Sequence, residues 1–91
     1  MTTAVVLIEA ERGALTTLGA QLADIEGVAE AYSVTGEWDY VAILRVPRHE
    51  MLAELIPGKL GELEGVTRTQ TMVAFEAFSR HDLDAMFSIG E

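Results

Sequence analysis

The chain has 91 residues, 15 Asp plus Glu against 6 Lys plus Arg for a formal charge of −9, and no cysteine. That length accommodates one domain, and a chain this short buries only roughly 60–65% of the surface its unfolded form exposes, so its core gains from association. The acidic balance excludes phosphate backbones and anionic membranes as direct partners, since both need clustered cations, and the missing cysteine excludes disulfides, thiolate zinc sites and cysteine nucleophiles.

Met1-Thr2-Thr3 runs directly into the apolar stretch Ala4 to Ile8. No basic segment precedes that stretch and no small-residue cleavage site follows, and it is far too short to span a bilayer, so a cytoplasmic chain is expected. Its Val and Ile content predicts a buried strand. Leu15, Leu18, Leu22 and Ile25 recur at three- and four-residue steps, the mark of an amphipathic helix, which Gly27 closes. Val28 to Val34 reads as a second strand. Thr35-Gly36-Glu37-Trp38-Asp39 joins it to a third, Tyr40 to Val46, after which Pro47 permits a turn. A second helix follows through Leu52, Leu55, Ile56, Leu60 and Leu63, with Pro57-Gly58 predicted to kink or break it. Gly65 ends that helix, and Val66 to Phe78 reads as a long last strand. Beyond it, Ser79 with Asp82 three places on, and the stripe Leu83, Met86 and Phe87, predict a short C-terminal helix.

The order repeats itself. Leu22-Ala23-Asp24-Ile25-Glu26-Gly27-Val28 returns as Leu60-Gly61-Glu62-Leu63-Glu64-Gly65-Val66, an offset of 38 residues, and the same offset lays Val5-Val6-Leu7-Ile8 over Ile43-Leu44-Arg45-Val46. Residues 1–91 therefore read as a single domain of two βαβ units. Interleaved with right-handed crossovers, they give a ferredoxin-like βαββαβ fold of the α+β class, an antiparallel sheet with both helices on one face. The first and third strands are apolar on both sides, which calls for cover on both faces of the sheet. The expected assembly is a dimer packed sheet against sheet, a dimeric α+β barrel, with the C-terminal segment closing its rim.

Val34-Thr35-Gly36-Glu37-Trp38-Asp39-Tyr40, followed at the expected separation by Gly65-Val66-Thr67-Arg68-Thr69-Gln70-Thr71, resembles the effector-binding (RAM) domain of the Lrp/AsnC transcriptional regulators over about residues 3–78. Full-length members of that family carry an N-terminal helix-turn-helix, which this sequence lacks, so the resemblance is to the stand-alone class. It implies the same βαββαβ fold, dimers joined through their sheets, further assembly into homo-oligomeric rings, and an effector, mostly an amino acid, bound between dimers near the Gly-x-aromatic-Asp loop. Carried over residue by residue, the ligand-binding set is Gly36, Trp38, Asp39, Tyr40, Thr69 and Thr71. The chain carries Trp38 where the family more often has Tyr or Phe, and its Pro57-Gly58 pair is unusual for the pattern.

Chemistry gives each of these residues a ligand role and a structural one. Asp39 can meet an ammonium through a charge-assisted hydrogen bond, or cap the turn between two strands. The main chain around Gly36 can approach a carboxylate closely, or Gly36 can serve the turn alone. Trp38 can cover an apolar ligand side chain or pack in an interface, and Tyr40, at a strand start, fits core or interface as well as a ligand. Thr69 and Thr71 offer hydroxyls from one strand face, or simply β-propensity. His49-Glu50 and His81-Asp82 have no metal-ligand spacing and read as solvated surface. Met51, Met72 and Met86 read as apolar filler, and Glu9, Glu11, Glu26, Glu30, Glu62 and Glu64 as scattered surface charge.

No carboxylate pair, phosphate loop or serine elbow marks catalysis. The expectation is a sensor of an amino acid or related small molecule, with no cofactor, no metal and no direct nucleic-acid contact, acting through assembly and through a full-length Lrp/AsnC regulator as partner. The alternative is a dimeric α+β barrel enzyme of the small monooxygenase or isomerase type, because fold does not settle function.

Overall fold

In the computed structural model, which describes residues 1–78 and Arg80, β1 (Thr2–Ala10) leads through a single 3-10 turn (Arg12–Ala14) into α1 (Leu18–Ala23) and β2 (Val28–Ser33). The second half repeats the order as β3 (Tyr40–Val46), α2 (Met51–Leu55), a π-helical turn (Ile56–Leu60) and β4 (Val66–Val73). The strands form one antiparallel sheet in the order β2-β3-β1-β4, so the two halves interleave with their first strands at the centre. This is the ferredoxin-like α+β arrangement.

The core follows from alternation along the central strands. Ala4, Val6 and Ile8 of β1 and Tyr40, Ala42, Leu44 and Val46 of β3 are buried together with Leu18 and Leu22 of α1, Leu52 and Leu55 of α2, and Leu60 of the π-helical turn. Each leucine buried this way contributes about 1.5–3 kcal/mol relative to an exposed one. On the other face, Val5, Leu7, Val41 and Ile43 are only half-buried, because among the described residues no element covers them. Tyr32 of β2 and Met72 of β4 extend this apolar strip to the sheet edges and are 49% and 45% exposed.

The structure departs from the sequence periodicity in three places. The stripe Leu15, Leu18, Leu22 and Ile25 predicts one helix from Leu15, but α1 starts at Leu18 and Leu15 is 41% exposed. The Leu15 carbonyl instead accepts a hydrogen bond from the Tyr40 hydroxyl. Pro57-Gly58 ends α2 as predicted, at Leu55, but does not end the helical path. The chain passes from α2 into a π-helical turn, which seats Pro57 at its start and still buries Leu60. The last strand ends at Val73, not Phe78: its pairing with β1 stops at Ala4–Val73, close to the start of β1 at Thr2. The closing bond is from the Ala74 N–H to the Thr3 carbonyl at 2.9 Å. The expected C-terminal helix around Ser79, Asp82, Leu83, Met86 and Phe87 lies outside the described residues.

The repeat extends into details of the backbone. Gly27 and Gly65 both adopt positive φ, 103° and 98°. A methyl group on Gly65 would also run into the Ala14 side chain, so glycine is required there twice over. In each copy a β-bulge follows directly. Val28 pairs with Leu44 and Glu30 with Ile43, leaving Ala29 extra; Val66 pairs with Ala10 and Arg68 with Glu9, leaving Thr67 extra. Among the described residues no helix is long and apolar enough to cross a membrane.

Candidate functional site

The connection of residues 34–39 between β2 and β3 is fixed at its base and open at its tip. Its base closes through the Val34 N–H donating to the Asp39 carbonyl at 3.0 Å. Asp39 then fastens the loop to the end of β1: its N–H donates to the Ile8 carbonyl at 2.9 Å, and its Oδ2 accepts from the Ala10 N–H at 2.8 Å. At the tip, Gly36 has φ 105°, and a Cβ placed there would meet nothing within 4 Å. Backbone conformation, rather than crowding, calls for glycine at this position.

Trp38 is half-buried, and the Arg68 guanidinium of β4 lies 4.3 Å from its ring centroid, within cation–π range. Arg68 Nη2 also contacts Glu9 Oε2 of β1 at 3.4 Å and Glu37 Oε1 of the loop at 3.3 Å. Glu9 is held in turn by the Thr67 hydroxyl, which donates to its carbonyl at 3.0 Å and lies 3.3 Å from its Oε1. Three segments thus converge on one guanidinium. Each of these exposed pairs contributes about 0–1 kcal/mol, so they orient the loop more than they stabilise the fold.

The residues proposed from sequence do not form one cluster. Gly36, Trp38 and Asp39 share the loop. Tyr40 lies beneath it, buried, its ring against Gly19 and its hydroxyl donating to Leu15. Thr69 and Thr71 pair with Ile8 and Val6 on the helix side of β4, two strands from β3, or about 9–10 Å. Arg68, between them and Thr67 in sequence, faces the other way and is the β4 residue that reaches the loop. Glu9, Glu37 and Arg68 are what the sequence reading missed as a group. The signal for Arg68 was its place in the Gly65–Thr71 motif, but only the β1–β4 register brings it to Glu9 and Trp38.

On the uncovered sheet face, Glu30 accepts a hydrogen bond from the Tyr32 hydroxyl and lies 3.3 Å from Arg45. The tyrosine bond first, and the arginine second, hold the Glu30 carboxyl below its ordinary value, while the same carboxylate raises the Tyr32 phenol. Among the described residues no Asp, Glu, His, Lys or Arg side chain is buried, and no three His, Asp or Glu converge as a metal site would require. His49 is exposed; His81 lies outside the described residues. Concavities of about 330, 560 and 190 Å³ lie beside α2, between α2 and Val73, and beside the 3-10 turn, and none of the three includes a residue of the 34–39 loop. Among the described residues the loop tip, Thr35 to Glu37, is exposed.

Residues 3–83 match the family model of the Lrp/AsnC ligand binding domain. An uncharacterized HTH-type transcriptional regulator of Pyrococcus furiosus is 39% identical over 77 residues, covering 81% of this chain and 51% of that protein. The chain thus spans about half the length of this curated relative. A crystal structure of a Thermus thermophilus protein shares 42% identity with a TM-score of 0.83, covering 88% of this chain and 100% of that one. A transcriptional regulator of Neisseria meningitidis, solved as its L-Met complex, shares the fold at a TM-score of 0.78 and 16% identity, covering 87% of this chain and 53% of that one.

Proposed function

The chain belongs to the Lrp/AsnC ligand-binding domain family, and on that premise we propose that it senses a free amino acid at the loop between β2 and β3 and responds through its assembly with other copies. The observation that carries this reading is the loop itself, pinned at Asp39 yet unobstructed at Gly36. Gly36, Trp38 and Asp39 are the proposed contacts and Tyr40 supports them from below, while Thr69 and Thr71, on the helix side of β4, could offer their hydroxyls only to a ligand held by another copy. An amino acid is the ligand present in the Neisseria meningitidis structure of the same fold.

Assembly enters because a site open in one chain gains walls from another. The apolar strip of Val5, Leu7, Val41 and Ile43 is the proposed dimer face, with Glu30–Arg45 and Glu9–Arg68 as its charged margins. Dimers would then meet around the loops, so that effector binding and oligomerisation are linked. With a formal charge of −9, the chain would reach DNA through a DNA-binding relative co-assembled by the same interfaces.

A catalytic reading on this fold needs a desolvated acid, base or nucleophile between sheet and helices. The buried phenol of Tyr40 is there, but its hydroxyl is engaged by the Leu15 carbonyl, which favours binding over chemistry. Calorimetry against the twenty amino acids, with oligomer mass followed by light scattering, tests the proposal. Saturable heat accompanied by a change in mass is expected; no heat and no mass change with any of them would end it.

A further inference from the structure

Arg68 is engaged at one corner of its guanidinium. Both carboxylate contacts, Glu9 at 3.4 Å and Glu37 at 3.3 Å, fall on the same nitrogen, Nη2. Among the described residues Nη1 and Nε make no hydrogen bond, and half of the side chain is exposed. A guanidinium carries five N–H donors in a planar fork that suits a carboxylate through two parallel bonds. Here the Trp38 ring, 4.3 Å from the guanidinium, holds that fork beside the loop while most of its donors stay unused among the described residues.

The loop supplies the opposite charge. Asp39 is committed to the Ala10 N–H at 2.8 Å, whereas Glu37 is 73% exposed and, among the described residues, its one side-chain bond, to Arg68, is 3.3 Å. That is longer than the 2.7–2.9 Å of a strong charge-assisted bond, so Glu37 is the loop carboxylate with capacity to spare.

The geometry assigns Arg68 and Glu37 as a clamp for a zwitterionic α-amino acid: Arg68 takes the carboxylate, Glu37 the ammonium, and the Trp38 ring bounds the side chain. An α-amino acid holds its two charges one carbon apart, the spacing needed to engage two side chains that already touch. This assignment rests on the effector-sensing reading above and adds a selectivity rule to it. Glu9 and Glu37 already flank a single guanidinium, so a second anionic group on the effector meets repulsion, while apolar and uncharged side chains do not.

The test uses the full chain and the twenty free L-amino acids, with calorimetric affinity and the emission of Trp38, the chain's single tryptophan, as paired readouts. Aspartate and glutamate are expected to bind at least tenfold more weakly than the best binder. The counterparts of that binder lacking the carboxylate, or lacking the amino group, should each bind at least tenfold more weakly too. Arg68→Lys, which keeps the charge but loses the fork, and Glu37→Gln should each weaken binding at least tenfold with the denaturation midpoint unchanged, while Arg48→Lys changes nothing. If an amino acid binds the wild type and both clamp variants hold it within threefold of wild type, the clamp is overturned and the sensing reading stands. If no amino acid produces heat or a change in Trp38 emission, the sensing reading falls and takes the clamp with it.

Discussion

Asp39 and Ala10 are 29 residues apart in sequence, yet the Asp39 carboxylate accepts the Ala10 N–H at 2.8 Å. With the bond from the Asp39 N–H to the Ile8 carbonyl, one residue of the loop grips β1 at two points. Both groups face β3, whose pairing with β1 ends at Ile8–Tyr40. Beyond that last pair the Ala10 N–H has no strand partner, and a side-chain carboxylate satisfies it.

Asp39→Ala should therefore destabilise the fold by about 1–3 kcal/mol, the cost of leaving a part-buried N–H without its acceptor. Asp39→Asn, which keeps an acceptor oxygen, should lose less than half as much. Urea midpoints at constant m-value measure both. Equal losses for the two variants would mean that the charge, not the hydrogen bond, holds the loop.

The two positive-φ glycines Gly36 and Gly65 should respond differently to alanine. Gly36→Ala meets open space and carries only backbone strain, about 1–2 kcal/mol. Gly65→Ala adds a collision with Ala14, worth about 1–3 kcal/mol more. Thermal unfolding of the pair, side by side, reads out the difference.

Leu15 and Leu22 belong to one sequence stripe, but only Leu22 is in the core. Leu22→Ala should cost about 2–5 kcal/mol, against about 0.5 kcal/mol or less for Leu15→Ala. Equilibrium denaturation of the two variants would show whether α1 begins where the structure has it.

The uncovered sheet face can be charged without touching the helix-side core. Ile43→Glu places a carboxylate in the middle of the proposed dimer strip, between Val5 and the Glu30 pair. The expected result is a monomer of unchanged secondary structure by light scattering and circular dichroism. A wild-type oligomer that survives this substitution would move the dimer interface elsewhere.

Glu30 and Tyr32 give a pH signature. The folded Glu30 carboxyl titrates below its ordinary 4.5, so its contribution to stability is complete above that value and is lost as pH falls through the folded value. The Tyr32 phenol is raised above 10.0, so its contribution is present below that and is lost as pH rises through the folded value. Tyr32→Phe should move the Glu30 titration, followed by carboxyl carbon NMR, upward toward its ordinary value.

How much of this could be read from sequence depends on how local the cause was. The third strand was placed at Tyr40–Val46, as the structure has it, because apolar residues on both faces stop abruptly at Asp39 and Pro47. The last strand reads too long in sequence because its end is set by where pairing with β1 stops, at Ala4–Val73, which no property of Val73 to Phe78 encodes. Leu15 satisfied the helical period but is taken up by Tyr40, 25 residues away. Trp38 and Asp39 stood out through their motif, whereas Glu9 and Glu37 looked like solvated charge until the strand register set them around Arg68.

The extra residues Ala29 and Thr67 shift the phase of a strand by one. Were Thr67 an ordinary strand residue, Val66 and Arg68 would stand on the same side of the sheet. With the bulge, Val66 packs against the core while Arg68 crosses to Trp38. Ala29 does the same for Val28 and Glu30, at the matching point of the first half. The chain thus changes inside to outside twice, one residue after the valine of each Glu-Gly-Val turn. Drawing either residue into the ladder as an ordinary pair would invert the strand at that point: in the second half it would turn Arg68 toward the leucines of the core, and in the first it would bury Glu30. The bulge at these two positions, more than the identity of the residue that fills it, decides which side of the sheet carries charge.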